Sequence, residues 1–166
     1  MRFATAFTLL FAAFAYAAPI QHQKRAARSF SQISIGGGVG GNALAEAKAK
    51  FPGTAATLSA ATTSDFNTDA HCSVLAEQAY LDAGAIASSN KATNGVSVGL
   101  FKNKVLKIYS TLLVTQAEVA QNGGKASAAQ QAQIDDLTAK LATNVAIDKK
   151  NAGIASKDVS FTCPSA

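Results

Sequence analysis

Residues 36–41 (GGGVGG) satisfy G-x-G-x-x-G at Gly36, Gly38 and Gly41. That spacing is the dinucleotide fingerprint, in which bare backbone lets a pyrophosphate approach the N-terminus of a helix. The surroundings argue against it. The helix expected next stops at Pro52, no second apolar strand follows, and no acidic residue lies about 20 positions on. A run this rich in glycine matches many patterns by chance. A flexible or tightly packed turn is the better reading, and no cofactor is expected.

His71-Cys72 invites a metal or thiol chemistry. A zinc site needs four ligands at recognisable spacing, and His71, two cysteines and scattered carboxylates do not supply it. Neighbours on a helix point about 100° apart, so His71 is badly placed to activate Cys72. The carboxylates Asp135, Asp136, Asp65 and Asp69 are equally weak as an acid–base pair. Asp135 and Asp136 are consecutive and fall on the solvated side of an apolar stripe, while Asp65 and Asp69 suit a helix N-terminus without any chemistry. No catalytic residue and no metal ligand is assigned, and the protein is read as a non-enzyme.

Cys72 and Cys163 are the only two cysteines. In an oxidising compartment the simplest reading is one disulfide, closing a loop of about 90 residues; free thiols are the competing reading. The compartment is set by the first 25 residues. A positive start (Met1-Arg2-Phe3), an apolar run over 4–15 and the small-x-small triplet Ala15-Tyr16-Ala17 make a signal peptide cleaved after Ala17. The run is shorter than the roughly 20 residues a membrane span needs, so it is an address and not an anchor. Lys24-Arg25 then forms a dibasic processing site. The expected organisation is signal peptide 1–17, propeptide 18–25 and a single helical domain 26–166. No Asn-x-Ser/Thr acceptor occurs.

Processing also alters the charge argument. The whole chain carries 15 Lys+Arg against 10 Asp+Glu, a formal +5. Losing Arg2, Lys24 and Arg25 leaves 12 against 10 in the 141 residues that follow. The densest basic cluster is Lys102, Lys104 and Lys107. That footprint is too weak for nucleic-acid binding, which is not expected.

The elements that hold these groups are helices. Residues 29–35 (SFSQISI) alternate and read as a short extended segment. Asn42 is an N-cap candidate for a short helix over 43–51, stopped by Pro52-Gly53. Residues 54–64 read as irregular. A helix is expected from Asp65 or Asp69 to Ser88, with Cys72, Leu75, Ala79 and Ile86 on one face and Val74, Leu81 and Ala85 widening it. The most apolar helix covers 98–121, with stripes Val98, Phe101, Val105, Ile108, Leu112, Val119 and Leu106, Tyr109, Leu113, Ala117; two stripes predict a central helix. Asn122-Gly123-Gly124 ends it. A last helix spans 127–151, with Ile134, Leu137, Leu141 and Val145 at helical spacing. The tail 158–163 (DVSFTC) reads as extended and able to pair with 29–35. The fold class is mainly α: an up-and-down bundle of three longer helices plus a short one, a small terminal β pair and one disulfide.

Residues 35–52 (IGGGVGGNALAEAKAKFP), 102–107 (KNKVLK) and 141–153 (LATNVAIDKKNAG) resemble a family of small secreted proteins of filamentous fungi with no assigned chemistry. The resemblance spans most of the chain. It implies a fungal origin and an extracellular, effector-like or cell-wall-associated role, and lends no site residues. In composition and helical plan the chain is also similar to the fungal hydrophobic-surface-binding proteins.

The functional expectation is a secreted, non-enzymatic monomer acting by binding an extracellular protein or wall component. The alternative is a carrier or adsorber of hydrophobic ligands or surfaces, and an enzyme of unknown class comes third. A binder requires a closed core and a working surface, a carrier requires a cavity or an exposed apolar face, and an enzyme requires polar groups converging in a cleft.

Overall fold

The computed structural model describes residues 28–88 and 91–164. The expected signal peptide and propeptide, with Ala17, Lys24 and Arg25, lie outside the described residues. Among the described residues five helices follow in order: α1 (Phe30–Ile33), α2 (Ala43–Lys50), α3 (Ala60–Asp82), α4 (Gly95–Gln121) and α5 (Ala128–Lys150). The protein is mainly α, a helical bundle with one disulfide between Cys72 and Cys163. No helix among the described residues is long and apolar enough to cross a membrane.

Helix α4 is the axis, and α2, α3 and α5 all pack on it. Both of its predicted stripes face protein: Val98, Phe101, Val105, Leu106, Leu112 and Leu113 are buried. One core cluster joins α4 to α2 and α3 through Ala47, Phe51, Phe66, Val105 and Leu113. A second gathers Phe30, Ile33, Cys72, Tyr80 and Leu100, with Phe161 of the tail against it. Burying each large apolar side chain stabilises the fold by about 1.5–3 kcal/mol, so these two clusters hold the bundle together.

The helix ends are set by local chemistry. The side chains of Ser59, Asn94 and Ser127 accept from Thr62 N, Ser97 N and Gln130 N, satisfying donors that a first turn leaves open. At the other ends Gly84, Gly123 and Gly153 take positive φ values of 85°, 88° and 77°, which let the chain leave each helix.

Three local expectations are corrected. Residues 29–35 are not extended: Phe30 and Ile33 are also three apart on a helical turn, and the Gln32 side chain accepts from Ser29 N at 2.8 Å to close it. Helix α3 begins at Ala60, because Ser59 caps it, and ends at Asp82, because Gly84 follows. Its buried face carries Phe66, Ala70, Ser73, Ala76 and Tyr80, while Val74, Leu81 and Ile86 are exposed. The tail does not pair with 29–35. Backbone pairing occurs instead as two isolated bridges, Val39 with Ala155 and Gly40 with Ala152, and the tail reaches α1 through the Phe30–Phe161 ring contact.

Candidate functional site

The glycine-rich turn is a fastener between distant parts of the chain. Lys102, on α4, is only 1% exposed, and its ammonium donates to the carbonyls of Gly37 (2.6 Å) and Val39 (3.1 Å) while pairing with Glu46 of α2 at 2.8 Å. Here the turn's carbonyls hold a cation, whereas a phosphate loop presents its N–H groups to an anion. The N–H groups at the start of α2 are also engaged. Gly41 N and Ala43 N each donate to the Asp148 carboxylate at 2.9 Å, so a carboxylate from α5 fills the place a pyrophosphate would need. Asn42 occupies the N-cap position without a side-chain bond, and Asp148 does the capping in its stead.

Glycine is required here by close approach. A Cβ on Gly36 would collide with the Tyr80 hydroxyl and Asp158, and one on Gly40 would sit 2.6 Å from the Asn151 carbonyl. The Tyr80 hydroxyl donates to Asp158 Oδ1 at 2.5 Å. Burial, then the bond to Asp158 and its negative charge, push the Tyr80 phenol well above its ordinary value.

A second fastener holds the start of the described chain. Arg28 donates from Nε to Asp69 Oδ2 at 2.7 Å and from Nη1 to the Lys50 carbonyl at 2.8 Å. Its guanidinium lies over the Phe51 ring, 4.9 Å from the centroid, and over Phe66 at 5.6 Å, a cation–π arrangement. Asp69 is therefore a buried ion-pair partner in mid-helix and not a helix-start residue. The disulfide, with Cα atoms 5.3 Å apart, ties the tail to α3 beside this region.

The surface carries a different kind of arrangement. Helices α3 and α5 flank α4 and leave a strip of it uncovered, forming an open groove of about 460 Å³. Lys104, Lys107, Ile108 and Thr111 recur at helical spacing and form its floor. Val74 and Glu77 of α3 and Leu137, Lys140 and Asn144 of α5 form its walls. Both Lys104 and Lys107 pair with Glu77, Lys104 at 3.6 Å, and Lys140 pairs with Asp136 at 2.7 Å. The arrangement can hold an anion over an apolar bed.

The other residues singled out by sequence stay apart. His71 is exposed. Asp135 and Asp136 are exposed and bond along their own helix, to Gln131 and Lys140. Among the described residues no group of three His, Cys, Asp or Glu side chains is placed to hold a metal ion. Sequence reasoning missed Arg28, Lys102 and Asp148. The basic cluster at 102–107 and the i, i+3 spacing of Lys104 and Lys107 were the only signals pointing toward the groove.

A family model described as a domain of unknown function (DUF8454) matches residues 25–160. The chain belongs to this family. The matched span takes in all five helices, the glycine-rich turn and both walls of the groove, and it stops short of Cys163. No curated protein and no solved structure matches the chain. The family description assigns no chemistry.

Proposed function

We propose that the protein is a secreted, non-enzymatic fungal protein that acts by extracellular binding, in an effector-like or cell-wall-associated role. One observation carries the reading. The buried charged side chains, Lys102, Asp69 and Asp148, are engaged in fastening the bundle to itself, while the groove between α3 and α5 leaves polar and apolar groups open to a partner. The N-terminal signal features and the disulfide support an extracellular setting.

A second reading, a carrier or adsorber of hydrophobic ligands, is favoured by the apolar lining at Val74, Ile108 and Leu137. Native mass spectrometry of the protein collected from culture medium tests both. The expected species is a single chain beginning at Ala26, about 2 Da below its reduced mass because a disulfide removes two hydrogens. Extra mass lost on denaturation favours the carrier; a bare monomer favours a protein or wall partner. Retention of the chain inside the cell would overturn the extracellular reading.

A further inference from the structure

We propose that the α3–α4–α5 groove binds a single-chain anionic amphiphile, a medium-chain fatty carboxylate, with the head group at Lys104 and Lys107 and the chain over Ile108. This rests on the second reading, an extracellular carrier of hydrophobic ligands, and names its ligand class. The head-group position is argued from Glu77. Its carboxylate already lies against both ammoniums, Lys107 on one oxygen and Lys104 on the other, which shows that the pair is spaced to hold a carboxylate. Lys140 on the opposite wall is paired with Asp136, so three ammoniums stand against two carboxylates and an excess of one positive charge remains.

The size of the groove favours a small molecule over a protein partner. Nine residues line it, whereas a stable protein interface engages about 20–30 on each side. A volume near 460 Å³ falls inside the range of about 300–1,000 Å³ typical of small-ligand sites. The floor runs from Lys104 to Thr111, about 10 Å at the helical rise, with Ile108 largely buried between partly exposed lysines, which suits a flexible chain of moderate length. Lysine side chains can lay their aliphatic stems along an apolar chain while keeping their charges in water, which suits an amphiphile.

The test is calorimetric titration of the full mature protein with dodecanoate below its micelle concentration, with dodecanol and dodecyltrimethylammonium as matched-chain controls. Dodecanoate should bind at least about tenfold more tightly than either control, since the head group carries selectivity. Glu77→Gln removes the competing carboxylate and should tighten dodecanoate about two- to fivefold, while the Lys104→Gln/Lys107→Gln pair should weaken it by at least about fivefold. All of these side chains are partly exposed, and far-UV circular dichroism verifies that each variant is folded.

Opposite signs for the two variants cannot come from a merely greasy surface. Absence of dodecanoate binding, equal affinity for dodecanol, or weaker binding by Glu77→Gln overturns the proposal. A protein found in the medium that ignores dodecanoate sinks this assignment alone. A protein retained in the cell sinks the extracellular reading, and dodecanoate then still decides the groove.

Discussion

Replacing Lys102 with methionine keeps most of the apolar stem of the side chain and removes the ammonium, with its charge and its N–H donors. The variant leaves the Gly37 and Val39 carbonyls without their donor and Glu46 without its cation. Removing one partner of a buried pair costs about 3–5 kcal/mol, because the other is left uncompensated. Here Glu46 is 33% exposed and water reaches it, which lowers that figure. The two carbonyls lose charge-assisted hydrogen bonds, each worth about 1.5–3 kcal/mol, but they too lie near solvent. The combined expectation is about 3 kcal/mol, or roughly 10 °C in Tm at this chain length. Glu46→Gln should cost about 1 kcal/mol at most, since the ammonium keeps both carbonyls. The chain has no tryptophan, so urea unfolding is best followed by far-UV circular dichroism. A Lys102→Met variant within about 1 kcal/mol of the parent would refute the claim that this ammonium fastens the glycine-rich turn to α4.

Three further outcomes follow from the same geometry. Cys72→Ser/Cys163→Ser opens a loop whose ends are 91 residues apart, and should destabilise the fold by about 4.6 kcal/mol on the chain-entropy account, measured by urea unfolding. Tyr80 is held neutral by the fold, so its contribution is complete below pH 10 and declines as pH rises toward its raised folded value. The loss should be about 1.4 kcal/mol per pH unit above pH 10, and Tyr80→Phe should flatten it; Tyr109, raised by burial, leaves a residual slope. Gly99→Ala should cost about 1–2 kcal/mol net, because its Cβ would meet the Lys157 carbonyl and the Tyr80 ring and outweigh the gain in helix propensity, whereas Gly37→Ala should be neutral or slightly stabilising in open space. Thermal melts of the two variants run side by side check that contrast.

The long helices were legible because their signals are local. The apolar stripes of α4 and the Asn122-Gly123-Gly124 stop needed no knowledge of the rest of the chain, and the pairing of two cysteines needed only arithmetic. The reading of 29–35 failed because a seven-residue alternation contains a three-residue spacing too, and Gln32 as a capping partner decided between them. On α3 the predicted face ran through Cys72, Leu75, Ala79 and Ile86, widened by Val74, Leu81 and Ala85; Cys72 is buried, while Val74, Leu81 and Ile86 are exposed. The buried face followed Tyr80 and Phe66 instead, which the tail and α2 cover from far away in sequence.

The fasteners were illegible for the same reason. Lys102 reads as one member of a surface cluster until the turn 63–65 residues earlier is folded over it, and Asp148 reads as a solvated helix residue until Gly41 and Ala43, more than 100 residues away, point their N–H groups at it. The groove is legible only as a spacing on one helix, because its walls come from two others.

Internal fastening lies at the glycine-rich turn, and the proposed binding lies at the α3–α4–α5 groove. Amide chemical-shift mapping by nuclear magnetic resonance during a dodecanoate titration separates the two most directly. The expected shifts concentrate at Val74, Glu77, Lys104, Lys107, Thr111, Leu137 and Asn144, with Gly36, Gly40 and Ala43 unmoved. Shifts centred on the glycine-rich turn, or none at the groove, would contradict the account.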